Sequence, residues 1–499
     1  MADELRKEDS SEAEHNEISK ERTVDTIHHD EALKVLAQYS GDQEWSAKEE
    51  KRLLRKIDWK LLPLLFITYG LQYYDKAMLS NSENLVLTGN RYSFSASIFY
   101  LGFIVGSYPT MVLAQRFPIE RVASIAVTVW GICLILTPLC KNYQSLYAQR
   151  FFLGLLESGI SPLFMLIVGG WFRKEEQAMR MGVWYCATGY ISIVSPLINF
   201  GLGHIKGALS PWKYMYLCAG SVTILWGIGI LFLLPPDPIR AKGFNERERY
   251  IAVARLRSNN SGVRNTHFKI AQVKELLLDI KFWLIVLTAF LAMIANGPIS
   301  TFSPIIIHSF GFDELTSLVL HTPSGFVAGT TMLILPYLAF KYSHKGIRSW
   351  LFVGAQVVTL TATLLLLCLP LDKTGGLLFG IYILPTMGAG YAVLMGLQIA
   401  NIAGYTKRTL SASGLYIGYC LGNFVGPLVF RSQDAPRYRP GFIVVLVTTV
   451  ASAALVVIYR FICLRDNKKR DAAGIGEGFD HAYEDDLTDK TNPQFRYIV

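Results

Sequence analysis

A helix needs about 20 apolar residues to cross the hydrocarbon of a bilayer, and this chain contains twelve such runs. A soluble core has no place for so many long apolar helices, so the chain reads as a polytopic membrane protein. The first six runs are Leu61–Ser80, Ser95–Gln115, Val122–Leu139, Ser145–Trp171, Met181–Gly203 and Tyr214–Leu234. The second six are Phe282–Phe302, Leu315–Phe340, Trp350–Pro370, Gly375–Ile399, Ser411–Phe430 and Phe442–Cys463. Charge is scarce and unevenly placed. Only 17% of the 499 residues are charged, against about 25% in soluble proteins. They crowd into the first sixty residues, Arg240–Lys281 and the stretch after Arg460.

The basic stretch Arg240–Lys281 separates six runs from six. It follows the helix stop Pro235-Pro236-Asp237-Pro238 and contains NERERYIAVARLR, an amphipathic segment with Asn245 as its expected N-cap. Two sets of six around a long loop is the parallel-repeat plan of a large transporter class. The halves echo each other. RFPIER after the second run corresponds to KYSHKGIRS after the eighth, and WFRKEEQAMR after the fourth to GYTKRTLSAS after the tenth. The expected fold is therefore an all-α membrane protein with twelve transmembrane helices in two six-helix bundles. Its expected parts are a disordered tail (1–57), a first bundle (58–235), a central loop (236–281), a second bundle (282–465) and a tail (466–499).

Orientation follows from the cations. Lys48, Lys51, Arg52, Arg55, Lys56 and Lys60 precede the first run, and Arg460, Arg465, Lys468, Lys469 and Arg470 close the last. The positive-inside rule then puts both termini and the central loop in the cytosol. Arg431, Arg437 and Arg439 fall on the other side and are outweighed. The first twenty residues are polar and acidic, unlike a secretory leader. The plasma membrane is the expected location. The only glycosylation sequon, Asn259-Asn260-Ser261, lies in the central loop and is expected to stay unused.

The net charge of +9 does not indicate nucleic acid, because the cations flank apolar runs instead of covering one soluble face. The seven cysteines form no CxxC pair and read as small residues in helix packing. There is no GxxxxGK[ST] phosphate loop, metal-ligand cluster or nucleophile elbow, so ATP-driven transport, a metal, a cofactor and an enzymatic activity are not expected.

A charge within hydrocarbon costs about 2.5–3.5 kcal/mol even on the lenient insertion scale, so each one is a functional candidate. The first half carries Asp75, Lys76, Arg150 and Glu157. At 1.5 Å per residue, Asp75 lies about 24 Å above the cytosolic start of its helix and Arg150 about 10 Å below the outer face, which are similar heights. Arg150, Gly154 and Glu157 follow i, i+4, i+7 spacing and share one face, with Glu157 about 10 Å deeper. Lys76 points about 100° away from Asp75. Asn296, His308, His321, Gln398 and Asn423 are the polar candidates of the second half. Gly102 and Gly106, like Gly418, Gly422 and Gly426, show small-xxx-small spacing, which serves sliding bundles or static packing alike. Arg116, Glu120, Arg121, Arg173, Glu175, Glu176 and Arg180, in the turns after the second and fourth runs, are either a cytosolic gate or solvated loop charge.

Four stretches carry a resemblance: Gln72–Ser80 (QYYDKAMLS), Arg150–Pro162 (RFFLGLLESGISP), Asn296–Phe312 (NGPISTFSPIIIHSFGF) with Thr322–Gly325 (TPSG), and Asn401–Gly441. With these the chain resembles the major facilitator superfamily, and within it the fungal allantoate permease family of anion:cation symporters. Pro298 and Pro304 stand where that family more often has small or polar residues, and Asn81 and Glu83 where small ones are usual. The resemblance implies a central cavity lined by the first, fourth, seventh and tenth helices, and import of a small organic acid, ureido acid, vitamin or peptide, commonly with protons. On that plan Asp75 pairs with Arg150, and Lys76, Arg150, Asn296 and Gln398 contact an anionic substrate, Arg150 through its bidentate fork. Glu157, with Asp75, carries the proton, since a carboxyl in a partly dry cavity can hold a proton near neutral pH and release it on facing water. A structural Asp75–Arg150 pair and a packing role for Glu157 are the alternatives. A monomer is expected. Exporters of the superfamily typically have a Gly-Pro step in the fifth helix, whereas here Ser195 precedes Pro196. Export of a metabolite or drug remains the transport alternative. A nontransporting nutrient sensor is the other, and its long signalling tail is not matched by expected tails of 57 and 34 residues.

Overall fold

The computed structural model describes residues 35–36, 38–78, 90–205, 207–259, 268–296, 303–430, 434, 437–474 and 486–499. Asn81, Glu83, Pro298 and Arg431 lie outside them. Among the described residues, nine helices are long and apolar enough to cross a membrane, or ten when Ile270–Leu277 and Ile280–Ile294, bent by 64°, are taken as one span. We number the long helices in chain order. The first bundle holds α1 (Ala47–Ala77), α2 (Asn90–Arg116), α3 (Ile119–Leu136), α4 (Tyr143–Trp171), α5 (Lys174–Gly203) and α6 (Pro211–Leu233). The second holds α7 (Ile280–Ile294), α8 (Glu314–Lys341), α9 (Arg348–Cys368), α10 (Thr374–Ala400), α11 (Tyr405–Val429) and α12 (Arg439–Ala472). Helices α1 and α11 occupy the first and eleventh places but are more polar, α1 through its charged start and α11 through its serines, tyrosines and glycines.

Local chemistry sets the helix starts. Ser46 and Glu49 form a capping box at α1, Asn142 and Ser145 another at α4, and Asn245, as expected, a third with Glu248 at the short helix Glu246–Ala254. Helix α1 starts at Ala47, inside the stretch expected to be a disordered tail ending at 57. The physical reason is docking: Tyr39 stacks on Tyr250 at 4.3 Å, and Arg247 pairs with Glu49 at 3.1 Å. The last helix likewise runs past Arg465 to Ala472.

Large apolar side chains face outward around the helices: Phe232 is 79% exposed and Leu225 and Phe200 each 71%. In water such a belt would be a severe liability, whereas in lipid it is the expected exterior. Packing inside each bundle is tight, with α2 against α4, α3 against α6, and α7 against both α11 and α12. The bundles meet along two seams, α2 against α11 and α5 against α8. The face carrying Arg173, Arg348 and the loop helices is called the basic face below.

Two helices at matching places in the two halves are interrupted. Helix α4 breaks at Ser158–Gly159 between Glu157 and Ile160, and α10 has a 3₁₀ turn at Leu384–Thr386. Proline explains both. Pro162 lacks the N–H that would serve the Ser158 carbonyl, and Pro385 lacks the one for Ile381. Paired interruptions at depth mark where a transporter fold places its ligands.

Candidate functional site

The break in α4 presents Glu157. Its side chain is fully buried, and neither carboxylate oxygen has a hydrogen-bond partner among the described residues. Gln72 of α1 donates to the Glu157 backbone carbonyl at 3.4 Å, tying the two helices at the break. Two turns earlier on the same face, Arg150 is 3% exposed, and its Nε and Nη2 likewise have no partner. Its guanidinium lies 5.9 Å from the Phe99 ring centre. A buried charge without a hydrogen bond is costly unless something else compensates it, so these atoms are where a ligand would gain most.

Asp75 and Lys76 come from the last turn of α1. Asp75 is fully buried, and its Oδ2 accepts from Trp130 Nε1 of α3 at 2.6 Å. The expected Asp75–Arg150 ion pair does not form, and the reason is that indole: it takes the carboxylate toward α3 while Arg150 lies over Phe99. Asp75 Oδ1 has no hydrogen-bond partner among the described residues. The Lys76 ammonium lies 4.9 Å from the Phe103 ring centre and 5.4 Å from that of Phe99, both on α2. Glu157 is within electrostatic reach of Lys76 and Arg150.

Aromatic rings close the space between the halves. Tyr69 packs edge-on to Trp184 at 4.7 Å, Tyr185 meets Tyr391 at 5.6 Å across the bundles, and Phe103 meets Tyr416 at 5.5 Å, also across them. Tyr416 and Tyr419 stack within 6° of parallel. The site is thus a largely buried cluster of four charges from α1 and α4, called the chamber below, with tyrosines of α10 and α11 packed across the seam between bundles.

The second-half candidates are committed elsewhere. Asn296, just past the end of α7, donates to Asn423 of α11 at 2.6 Å. Gln398 lies near the basic-face end of α10, not at the level of the break, and donates to the Ser411 hydroxyl and carbonyl at 2.6 Å. Of the other polar candidates, His308 is exposed and His321 is held by Ser324. Asn259 of the sequon is buried, accepting from Lys174 N and donating to the Phe172 carbonyl, so its amide is already used in packing.

On the basic face, Arg173 pairs with Glu50 at 3.1 Å and Arg180 with Asp58 at 2.9 Å, both within the first bundle. Arg116, Arg121 and Glu175 are exposed. A bond between bundles on this face is made by a residue to which sequence reasoning gave no role. Arg348 of α9 is fully buried and donates to the Lys174 and Glu175 carbonyls at 2.6 and 3.2 Å, and to the Gly396 carbonyl. Its position in KYSHKGIRS, the counterpart of RFPIER, was the available signal. Trp130 had none, being one aromatic in an apolar run.

The family model described as Major Facilitator Superfamily matches residues 61–427. The chain belongs to the major facilitator superfamily. Within it the chain is related to the allantoate permease group: it is 30% identical to the allantoate permease of Saccharomyces cerevisiae over 492 residues, covering 94% of this chain and 90% of that one. The thiamine pathway transporter THI73 of the same yeast is 34% identical over 471 residues, covering 93% and 88%. Among solved structures, the proton:xylose symporter XylE bound to 6-bromo-6-deoxy-D-glucose superposes with a TM-score of 0.62 over 79% of this chain and 94% of that one. At 13% identity that likeness speaks for the fold alone. This superfamily member is a multi-pass membrane transporter of small molecules.

Proposed function

We propose that this superfamily member imports a small organic anion together with a proton, by alternating access, across the plasma membrane with its basic face in the cytosol. The observation that carries this reading is Glu157: a fully buried carboxylate whose oxygens have no hydrogen-bond partner among the described residues, at the break of α4 and on the same face as Arg150, whose Nε and Nη2 are unpartnered among them too. Electrostatics supplies the coupling. Asp75, Lys76, Arg150 and Glu157 sum to zero formal charge. An anion alone would leave the chamber negative, and a proton alone would leave it positive. An anion on Arg150 and Lys76 plus a proton on Glu157 restores neutrality, so the empty and doubly loaded chambers are the two states least penalised when water is excluded. Asp75, held by Trp130, balances the two cations. Asn296 and Gln398 serve the site indirectly, holding helices of the second half together through their bonds to Asn423 and Ser411. The yeast relatives support a carboxylate, ureido acid or vitamin as cargo, and a monomer suffices for the mechanism.

Uptake into proteoliposomes under an imposed pH gradient tests this. Carboxylates, ureido acids and vitamins are screened, and accumulation should follow an inward proton gradient. Extrusion against that gradient would make the protein an exporter. Glu157→Gln should lower gradient-driven accumulation at least tenfold while sparing exchange of bound substrate. Normal accumulation by this variant would remove Glu157 from coupling.

A further inference from the structure

Beyond α12, residues 486–499 lie against the basic face with Asp489, Phe495 and Tyr497 buried. Two side-chain amides hold the backbone of this segment. Asn401, at the end of α10, donates to the Ile498 carbonyl and accepts from its N–H, both at 2.7 Å. Asn467 of α12 does the same at Tyr497, at 2.8 and 2.9 Å. A pocket of mixed charge holds the side chains, in which Lys407 also meets Glu275 and Asp279, at 2.9 and 3.2 Å, and Lys281 meets Asp466 at 2.8 Å. Lys407 Nζ, 1% exposed, meets Asp489 at 2.7 Å, and the Tyr497 hydroxyl donates to the other Asp489 oxygen at 2.8 Å. The Lys281 ammonium lies 3.7 Å from the Tyr497 ring centre.

The segment also reaches the seam between bundles. Lys174, the first residue of α5, places its ammonium 3.6 Å from the Phe495 ring centre. The Val499 carbonyl accepts from the backbone N–H of Arg348 at 3.2 Å, a residue that joins the two bundles. A segment held at α7, α10, α11 and α12 that also contacts α5 opposes their separation.

We propose that the basic face carries a groove for an extended peptide with one buried aspartate and two buried aromatic rings, that residues 486–499 are its resident occupant, and that their docking holds this face shut. The docking stands on the contacts alone, whereas the gating rests on the alternating-access reading above. Amide pairs to backbone give affinity without regard to sequence, as in strand addition, while Lys407 and the Tyr497 hydroxyl fix the position of Asp489, and Lys174 and Lys281 select the rings. Opening of the basic face requires the segment to leave or to give up Lys174.

The test uses the chain lacking residues 486–499, in nanodiscs, titrated with a fluorescent peptide of that sequence and followed by anisotropy. Saturable binding to the shortened protein is expected. Binding to the intact protein, whose groove is filled, should be at least tenfold weaker, as should binding of a peptide carrying Asp489→Asn. A peptide that binds neither protein, or both equally, overturns the groove. If the shortened chain does not fold, full-length Asp489→Asn replaces it and should take up the unmodified peptide better than the intact protein does; equal binding overturns the groove. For gating, Ser413→Cys at the α2–α11 seam is labelled with an impermeant maleimide from the basic face, the seven native cysteines having been changed to alanine. Deletion should raise the labelling rate at least tenfold. Unchanged labelling alongside saturable peptide binding keeps the groove and refutes the gating. None of these readouts uses substrate or a proton gradient, so failure here is distinct from failure of Glu157 as the coupling residue.

Discussion

At the scale of single residues, the charged chamber is shaped by a partner of modest appearance. Trp130 gives Asp75 its one hydrogen bond, and losing a donor to a buried charge costs about 1.5–3 kcal/mol. Trp130→Phe should therefore lower the melting temperature by several degrees and reduce transport, while the ring still fills its place. Unchanged melting and uptake would mean that Asp75 finds another donor. A second residue-scale prediction concerns the basic face. Burial opposes the charge on Glu50, but hydrogen bonding from Trp45 and the cations Arg173 and Arg255 prevail and hold its carboxyl below the usual range. A lowered carboxylate stabilises the fold fully above its unfolded value, about 4.3, and loses that contribution as the pH falls through its folded value. Glu49 behaves alike, held down to about 2 chiefly by Arg247. Amide exchange in Glu246–Ala254, corrected for intrinsic rate, should be flat from neutral pH to about 4.5 and quicken below that as these carboxylates protonate. Quickening between pH 7 and 5 would point to a histidine instead.

At the scale of helices, the glycines sort by what they face. A Cβ on Gly102 would meet the Phe151 carbonyl oxygen at 2.1 Å, and one on Gly418 the Val286 oxygen at 2.4 Å. Those contacts lie inside one bundle or the other, so the stripes read from the sequence serve static packing. Close approaches between bundles fall on α5, among them Gly189, where a Cβ would meet the Gly329 nitrogen of α8 at 2.2 Å. Overpacking costs about 1–3 kcal/mol, and here it falls on a seam that must re-form in each cycle. Gly189→Leu should cut transport at least tenfold with the protein still folded, while Gly201→Ala, with nothing within 4 Å of its added carbon, should leave transport unchanged. Equal rates for the two would remove the α5–α8 seam from the cycle.

At the scale of the whole molecule, Arg348 joins the two bundles at the basic face through the Lys174 and Glu175 carbonyls. Arg348→Met keeps the length and removes the donors. Amides of 174–180 and 405–411 should then exchange at least tenfold faster, and the transport cycle should spend more time open on that side. Exchange like that of the unaltered chain would assign the closure to the α2–α11 contacts instead, such as Gln115 to Thr406 at 2.8 Å.

The number and order of the helices, their grouping into two sixes, the cap at Asn245 and the four charges within the first bundle were all legible in the residues themselves. Each depends on local quantities: apolar length, capping chemistry, proline and the 3.6-residue period. What tertiary packing alone decided is which helix face meets which. It gave Asp75 to Trp130 instead of Arg150, set Gln398 at the end of α10, made Arg348 a join between bundles and folded residues 486–499 back onto the basic face. Such pairings depend on the rotation and height of one helix against another. A shift of one residue turns a side chain by about 100°, and only the sum of all the contacts in the bundle settles that angle.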